Sequence, residues 1–435
     1  MVPSRPRRAV VRRALLSLLF VALGPGAALT MGTRWVAAAD PTALPSSSPL
    51  PAPILASPTV STIGQRPRQL SRPSAEIGLR LALDARLEAL RVEYGLPGVS
   101  VAIVFPDGAT WIGASGLADV GAAKPVAPDA VFALASLTKT FTSALVLLLA
   151  EEGRIGLDAR IATYLPELAL DPAITIRQLL DHTSGLGDYF FDAAIDELLL
   201  SKPDRTWTEA DALALAGKPY FKPGAGWHYS NTNYLVLGML AERVADAPLA
   251  DQFRERFLTP LGLRSIYYQP TETALQPAAH GYRIETGAAD APVIDLTGTS
   301  PIVPFASVVT AARGAGGLAS DSIDVARWAR ALYGGEVLTE SSRTAQIDDA
   351  ARIQHYRPTV PYGLGVQLID IAGRPTMGHS GRLLGFRSAA RFLPGTGLSI
   401  AVLTNQSRTD PGIIVEALLS IAARSTGDCA CRSAR

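Results

Sequence analysis

A chain of 435 residues, 48% hydrophobic and 18% charged, has an ordinary globular composition and is long enough to bury a large core in one big domain or two. Its formal net charge of +1 offers no long-range field to a phosphate backbone, and no basic run interleaved with aromatics follows the N-terminus, so nucleic acid is not an expected partner. The two cysteines, Cys429 and Cys431, sit in a polar tail and exclude a framework of core disulfides.

In chain order, MVPSRPRRAVVRRALLSLLFVALGPGAALTMGTRWVAAAD places five arginines before an apolar run from Ala14 to Met31, with Ala37-Ala38-Ala39 before Asp40. This pattern predicts a signal peptide over 1–39 and an exported protein, periplasmic or secreted. Left uncleaved, the segment would act as an N-terminal membrane anchor, although Gly24 and Pro25 suit a spanning helix poorly. Residues 40–75 are rich in Pro and Ser and predict a disordered linker. A helix is expected from Glu76 to about Tyr94, ended by Gly95, and GVSVAIVFPDGATWIGASG reads as a hairpin turning at Pro106-Asp107-Gly108.

The middle, about 136–300, is expected to be mostly helical, with the stretch 268–312 reading as loop. RSAARFLPGTGLSIAVLTN is a second hairpin, and the amphipathic PGIIVEALLSIAARS a last helix before a flexible tail at 425–435. Because a lone hairpin is marginal, the N- and C-terminal strands are expected to share one antiparallel sheet flanked by helices. The chain is thus read as an α/β domain over 76–424 with a helical insert.

The chemistry starts in ALASLTKTFTSALVLLLAEEG, where Lys139 is the only charge between Asp129 and Glu151. A helix apolar all round is a buried one, and an unpaired ammonium in it costs several kcal/mol. The chain has 5 lysines against 35 arginines, so it uses arginine wherever a positive charge suffices. Lysine differs in being able to lose its proton when desolvated. Ser136 stands three residues earlier, on the same helical face, with β-carbons about 5 to 6 Å apart. Burial and the positive end of the helix both push Lys139 towards a neutral amine able to take the proton of Ser136.

Two further groups stand out. Asparagine occurs three times in the chain, and two of them, Asn231 and Asn233, lie in FKPGAGWHYSNTNYLVLG, which contains the triplet Tyr229-Ser230-Asn231. A turn followed by a helix cap explains one Ser or Asn there, but not the tyrosine as well. In MGHSGRLLGF, His379 and Gly381 precede a strand pair. The remaining histidines show no metal-ligand spacing, so neither a metal nor a cofactor is expected.

The ordered set S-x-x-K, Y-x-N, H-x-G resembles the penicillin-recognising serine hydrolases, a family of class C β-lactamases, D-alanyl-D-alanine carboxypeptidases and related esterases. The stretches LLDHTSGL, PGAGWHYSNTNY and GAGGLASDSIDVARW are similar to the same family, so the resemblance spans about 76–424. It implies a β-lactamase/transpeptidase-like fold, Ser136 as acylated nucleophile, and Lys139 with Tyr229 as proton relay. It further implies that Asn231 holds the acyl-side carbonyl and that the backbone N–H groups of Ser136 and Arg382 form the oxyanion hole. His379 and Gly381 would line the substrate site, and His182 in HTSGL would be structural. His379 stands where the β-lactamases usually carry lysine and some of the carboxypeptidases histidine; it carries a permanent charge less readily, and Arg382 is the substitute at hand.

The substrate implied is a small ester, amide or peptide, with a peptidoglycan stem peptide and a β-lactam both in range. Two alternatives remain at this level: a slow-turnover penicillin-binding or sensor protein with the same groups, and an α/β-hydrolase whose G-x-S-x-G elbow is nearly present at Gly378-His379-Ser380-Gly381-Arg382.

Overall fold

The computed structural model describes residues 72–191, 194–284, 293–353 and 360–425. The expected signal peptide, nearly all of the linker, and the tail with Cys429 and Cys431 lie outside them. The first helix, Arg72–Glu93, starts four residues inside the expected linker, with Pro73 in its first turn, where a missing N–H costs nothing. Gly95 (φ +59°) ends it in the left-handed conformation that glycine adopts without strain.

The hairpin β1 (Gly98–Val104) and β2 (Thr110–Asp119) follows, with Gly108 at φ +86° in its turn. Two short strands come next, β3 (Lys124–Pro125) and β4 (Phe132–Ala133). The block after them is mainly helical, its longest members being Thr138–Glu151, Asn231–Ala245, Ser322–Gly334 and Glu340–Ile353. Helices therefore continue past the expected limit near 300. The stretch read as loop contains β5 (Tyr267–Tyr268), the small hairpin β6 (Tyr282–Ile284) and β7 (Val293–Asp295), and the helix Ala306–Ala312. These strands have two or three residues each, too few to show a period of two in the sequence. Strand β8 (Leu318–Ser320) pairs with β4 and β5.

The main sheet resumes with β9 (Gln367–Ile371), β10 (Arg374–Leu383), β11 (Phe386–Leu393) and β12 (Leu398–Thr404). Its order is β3-β2-β1-β12-β11-β10-β9, antiparallel throughout, so the terminal segments do meet in one sheet through β1 and β12. Val99, Val101 and Ile103 of β1, with Ile400 and Val402 of β12, pack on one face against Leu83, Leu87 and Leu90 of the first helix and Ile414 and Leu418 of the last, Gly412–Ser425. Alternate residues, including Ala102, Ala390, Ala401 and Leu403, face the helical block on the other side. The central strands β1, β12 and β11 are buried on both faces, which is why they are apolar without a clean alternation. His379 and Gly381, expected just before a strand pair, lie inside β10 itself; the glycine and the polar residues around them mask that strand's pattern.

Candidate active site

Ser136 sits in a 3-10 turn, Ala135–Leu137, that runs straight into the helix Thr138–Glu151. Ala135 has φ +52°, a left-handed conformation that costs a residue with a side chain on the order of 1 kcal/mol and persists only where surroundings impose it. Three hydrogen bonds do so: Leu134 N–H donates to Leu318 O at 2.8 Å, Ser388 Oγ donates to Leu134 O at 2.6 Å, and Leu318 N–H donates to Thr138 Oγ1 at 3.1 Å. Gly381 completes the turn's setting. A β-carbon there would lie 2.2 Å from Leu134 O and 2.5 Å from Ser388 Oγ, so only glycine lets β10 approach the serine this closely.

Lys139 is fully buried, as are most residues of its helix, so its charge has no water to solvate it. Nζ lies 2.8 Å from Asn231 Oδ1, 2.7 Å from Ala315 O and 3.1 Å from Ser136 Oγ. Amide and peptide oxygens only accept. A neutral amine therefore spends its two hydrogens on Asn231 and Ala315 and turns its lone pair to the serine hydroxyl. Desolvation lowers the pKa of Lys139 from 10.5 to about 7, against the opposing pull of the Asp188 carboxylate. The Tyr229 ring flanks the ammonium position, with Nζ 5.0 Å from its centroid.

Asn231 opens the helix Asn231–Ala245, and its neighbours serve the site rather than the helix end. Ser230, at the N-cap position, makes no capping bond; its Oγ donates to Gly187 O at 3.2 Å, as Thr232 Oγ1 does at 2.7 Å. These bonds tie the Tyr-Ser-Asn segment to the loop after HTSG. The Asn231 amide is held at both ends, Oδ1 by Lys139 and Nδ2 by the Asp188 carboxylate at 3.0 and 3.2 Å. At most one Nδ2 hydrogen is left for the substrate carbonyl that the family resemblance gives to Asn231. Asp188 is buried, which raises its pKa, while bonds from Phe190 N–H and Asn231 and the charge of Lys139 act to lower it. His182 Nδ1 accepts from Ser230 N–H and from Asn233 Nδ2, both at 3.2 Å, and the His182 ring packs 4.3 Å from that of Tyr229. Its place is that of a support for Tyr229.

On β10, His379 is buried, with Nδ1 2.6 Å from Ser380 O and Nε2 3.0 Å from the Tyr362 hydroxyl. The carbonyl only accepts, so Nδ1 carries a hydrogen. The ring is thus fixed in the wall of the site, 6.4 Å from the Tyr229 ring. Arg382 follows Gly381 along the strand, its side chain exposed. Ser380 pairs with Ala389 and points to the opposite face of the sheet, and its strand lies in an antiparallel sheet. It is therefore no nucleophile elbow, which joins a strand to a helix, and the α/β-hydrolase alternative falls.

The structure thus brings Ser136, Lys139, Tyr229, Asn231, His379 and Gly381 around one site, with the Gly381-Arg382 backbone beside the serine turn. Three contributors were not read in the sequence: Asp188, Ala315 and Tyr362. Ala315 acts through a backbone carbonyl, to which residue identity is silent. Asp188 left one signal, an acid set in the apolar and aromatic run GLGDYFF.

A family model described as Beta-lactamase matches residues 83–423. The chain is 32% identical over 337 residues to penicillin-binding protein 4 of Amycolatopsis lactamdurans, covering 74% of this chain and 84% of that protein. It is 36% identical over 220 residues to esterase EstB of Burkholderia gladioli, covering 47% of this chain and 55% of the esterase. Among solved structures, a D-stereospecific amidohydrolase from Streptomyces sp. superposes with a TM-score of 0.67 at 31% identity, over 78% of this chain and 97% of that one. The chain belongs to the Beta-lactamase family. It shares its fold with the penicillin-binding protein, the esterase and the D-stereospecific amidohydrolase related to it.

Proposed function

We propose that this protein is an exported serine hydrolase that cleaves small amides and esters through an acyl-enzyme on Ser136. The observation that carries the reading is the Lys139 amine, buried, held by two carbonyl acceptors and facing Ser136 Oγ at 3.1 Å. In the proposed cycle the hydroxyl proton of Ser136 passes to Lys139 Nζ as Oγ attacks the substrate carbonyl. The oxyanion is received by the N–H groups of Ser136 and Arg382, and Tyr229 relays the proton to the leaving group. Water then repeats the steps on the ester, regenerating Ser136.

The names of the relatives, an esterase and a D-stereospecific amidohydrolase, support an ester or amide substrate, with D-amino-acid amides in range. With both ring nitrogens of His379 engaged by the protein, a substrate carboxylate is best met by Arg382. Export rests on the arginines, apolar run and alanine triplet of residues 1–39.

The test is a substrate panel given to the mature chain and to Ser136→Ala: a D-amino-acid amide, a D-alanyl-D-alanine peptide, a p-nitrophenyl ester and a chromogenic cephalosporin. Steady turnover of an amide or ester, lost in Ser136→Ala, is expected. A burst of one equivalent without turnover would instead identify a slow-turnover penicillin-binding or sensor protein.

A further inference from the structure

Behind β10, on the sheet face turned away from Ser136, lies a cavity of about 400 Å³. Successive strand residues face opposite sides, so Ser380 lines this cavity while His379 and Gly381 line the candidate active site. The cavity's inner wall carries Arg391 of β11, with Ile369 and Ile371 of β9 beside it; three exposed acids rim it, Asp370 of β9, and Asp410 and Glu416 where the last helix begins.

Arg391 is only 4% exposed. Its Nη2 donates to Gln367 Oε1 at 2.9 Å, an oxygen that also accepts from Ser380 Oγ at 3.3 Å. Its Nη1 is buried without a hydrogen-bond partner, and no carboxylate of the described residues forms an ion pair with it. Nothing in the catalytic arrangement uses this guanidinium. Stranding a charge in this way costs several kcal/mol, because a guanidinium does not escape by losing its proton near neutral pH. Desolvation brings Arg391 down only to about 10, the charge of nearby Asp410 acting against it, so it stays charged. A small turn of the guanidinium towards the cavity would bring it to a bound carboxylate, whose two oxygens suit its fork.

The mouth selects which carboxylate. Asp410 is bound to Arg387 at 3.6 Å, whereas Glu416 is exposed and has no ion pair among the described residues. Acids at the entrance repel phosphate and dicarboxylates but attract an ammonium. An inner cation, outer carboxylates and apolar sides in one space fit a small zwitterion, and the volume is that of a small-molecule pocket. We propose that this cavity is a second, non-catalytic site that binds a free α-amino acid or dipeptide, its carboxylate on Arg391 and its ammonium towards Glu416. The proposal is independent of whether Ser136 turns over.

The experiment is calorimetric titration together with thermal-shift measurement on the mature chain, using alanine, alanyl-alanine, acetate, methylamine and inorganic phosphate at constant ionic strength. Alanine or alanyl-alanine should bind and raise Tm with concentration, while acetate, methylamine and phosphate bind at least tenfold more weakly. Arg391→Met should abolish the effect, and Glu416→Lys, at an exposed position that leaves the fold intact, should weaken it at least tenfold. If Arg391→Met does not fold, Glu416→Lys carries the test. Equal binding of acetate or phosphate, or zwitterion binding that survives either substitution unchanged, would overturn the proposal.

Discussion

Replacing Lys139 by methionine keeps the length of the side chain and removes its titration. In the native protein burial holds this amine at about 7, against 10.5 in the unfolded chain. Between those values the unfolded state binds a proton that the folded state does not, so the lysine's contribution to stability rises with pH, by up to about 1.4 kcal/mol per unit. Below pH 7 both states are protonated and the full cost is present; above 10.5 it is gone. The gap from 10.5 to about 7 corresponds to roughly 4 to 5 kcal/mol. Methionine escapes this cost but leaves Asn231 Oδ1 and Ala315 O without their donor, at about 1 to 3 kcal/mol each. The two effects partly cancel near pH 6.5, and their absolute balance is a weaker test than the slope. Urea unfolding of wild type and Lys139→Met at pH 6.5, 8 and 9.5 gives the difference free of other titrating groups. Wild type should gain on the variant across the series. Parallel stabilities at all three values would refute a depressed lysine pKa, and with it the proton-acceptor role.

Other predictions follow from the same geometry. Turnover should rise with pH along a limb near 7, the value to which burial brings Lys139, and Lys139→Arg, which keeps charge but not basicity, should lose it at every pH in a kcat/KM profile. The Asp188 charge raises the Lys139 pKa, so Asp188→Asn should move that limb down by roughly one unit; an unmoved limb would show that the carboxylate does not sense the lysine. Gly381→Ala puts a methyl group against Leu134 O and Ser388 Oγ, and should cost about 1 to 3 kcal/mol in denaturation with turnover down on the order of a hundredfold, because the serine turn must shift.

Much of this site was legible because its residues are out of character with their surroundings. Lys139 is a charge in an apolar helix of an arginine-rich chain, and Asn231 and Asn233 are two of three asparagines, so their positions carried information that burial and spacing could decode. The hairpins β1–β2 and β11–β12, which meet at the centre of the sheet, were legible through their apolar runs and through Gly108 and Gly397 in their turns. What stayed hidden was set by tertiary contact. Ala315 supplies a carbonyl, which any residue has; Asp188 reads as an ordinary loop acid until folding buries it against Asn231; and Tyr362 meets His379 only when β10 is in place. The helix start at Arg72 was misplaced because the Pro/Ser-rich composition of the linker runs on to Ser74, although Pro73 suits a helix's first turn, and the strand around His379 because Gly381 and its polar neighbours hide a strand pattern.

The central claim, that Ser136 is acylated by way of Lys139, is tested most directly by intact-mass spectrometry of the chain quenched in acid during turnover of a p-nitrophenyl ester or a D-amino-acid amide. The account predicts a single acyl adduct on the peptide containing Ser136 in wild type, its formation slowed by orders of magnitude in Lys139→Arg and absent in Ser136→Ala. An adduct on any other residue, or turnover that persists in Ser136→Ala, would contradict it.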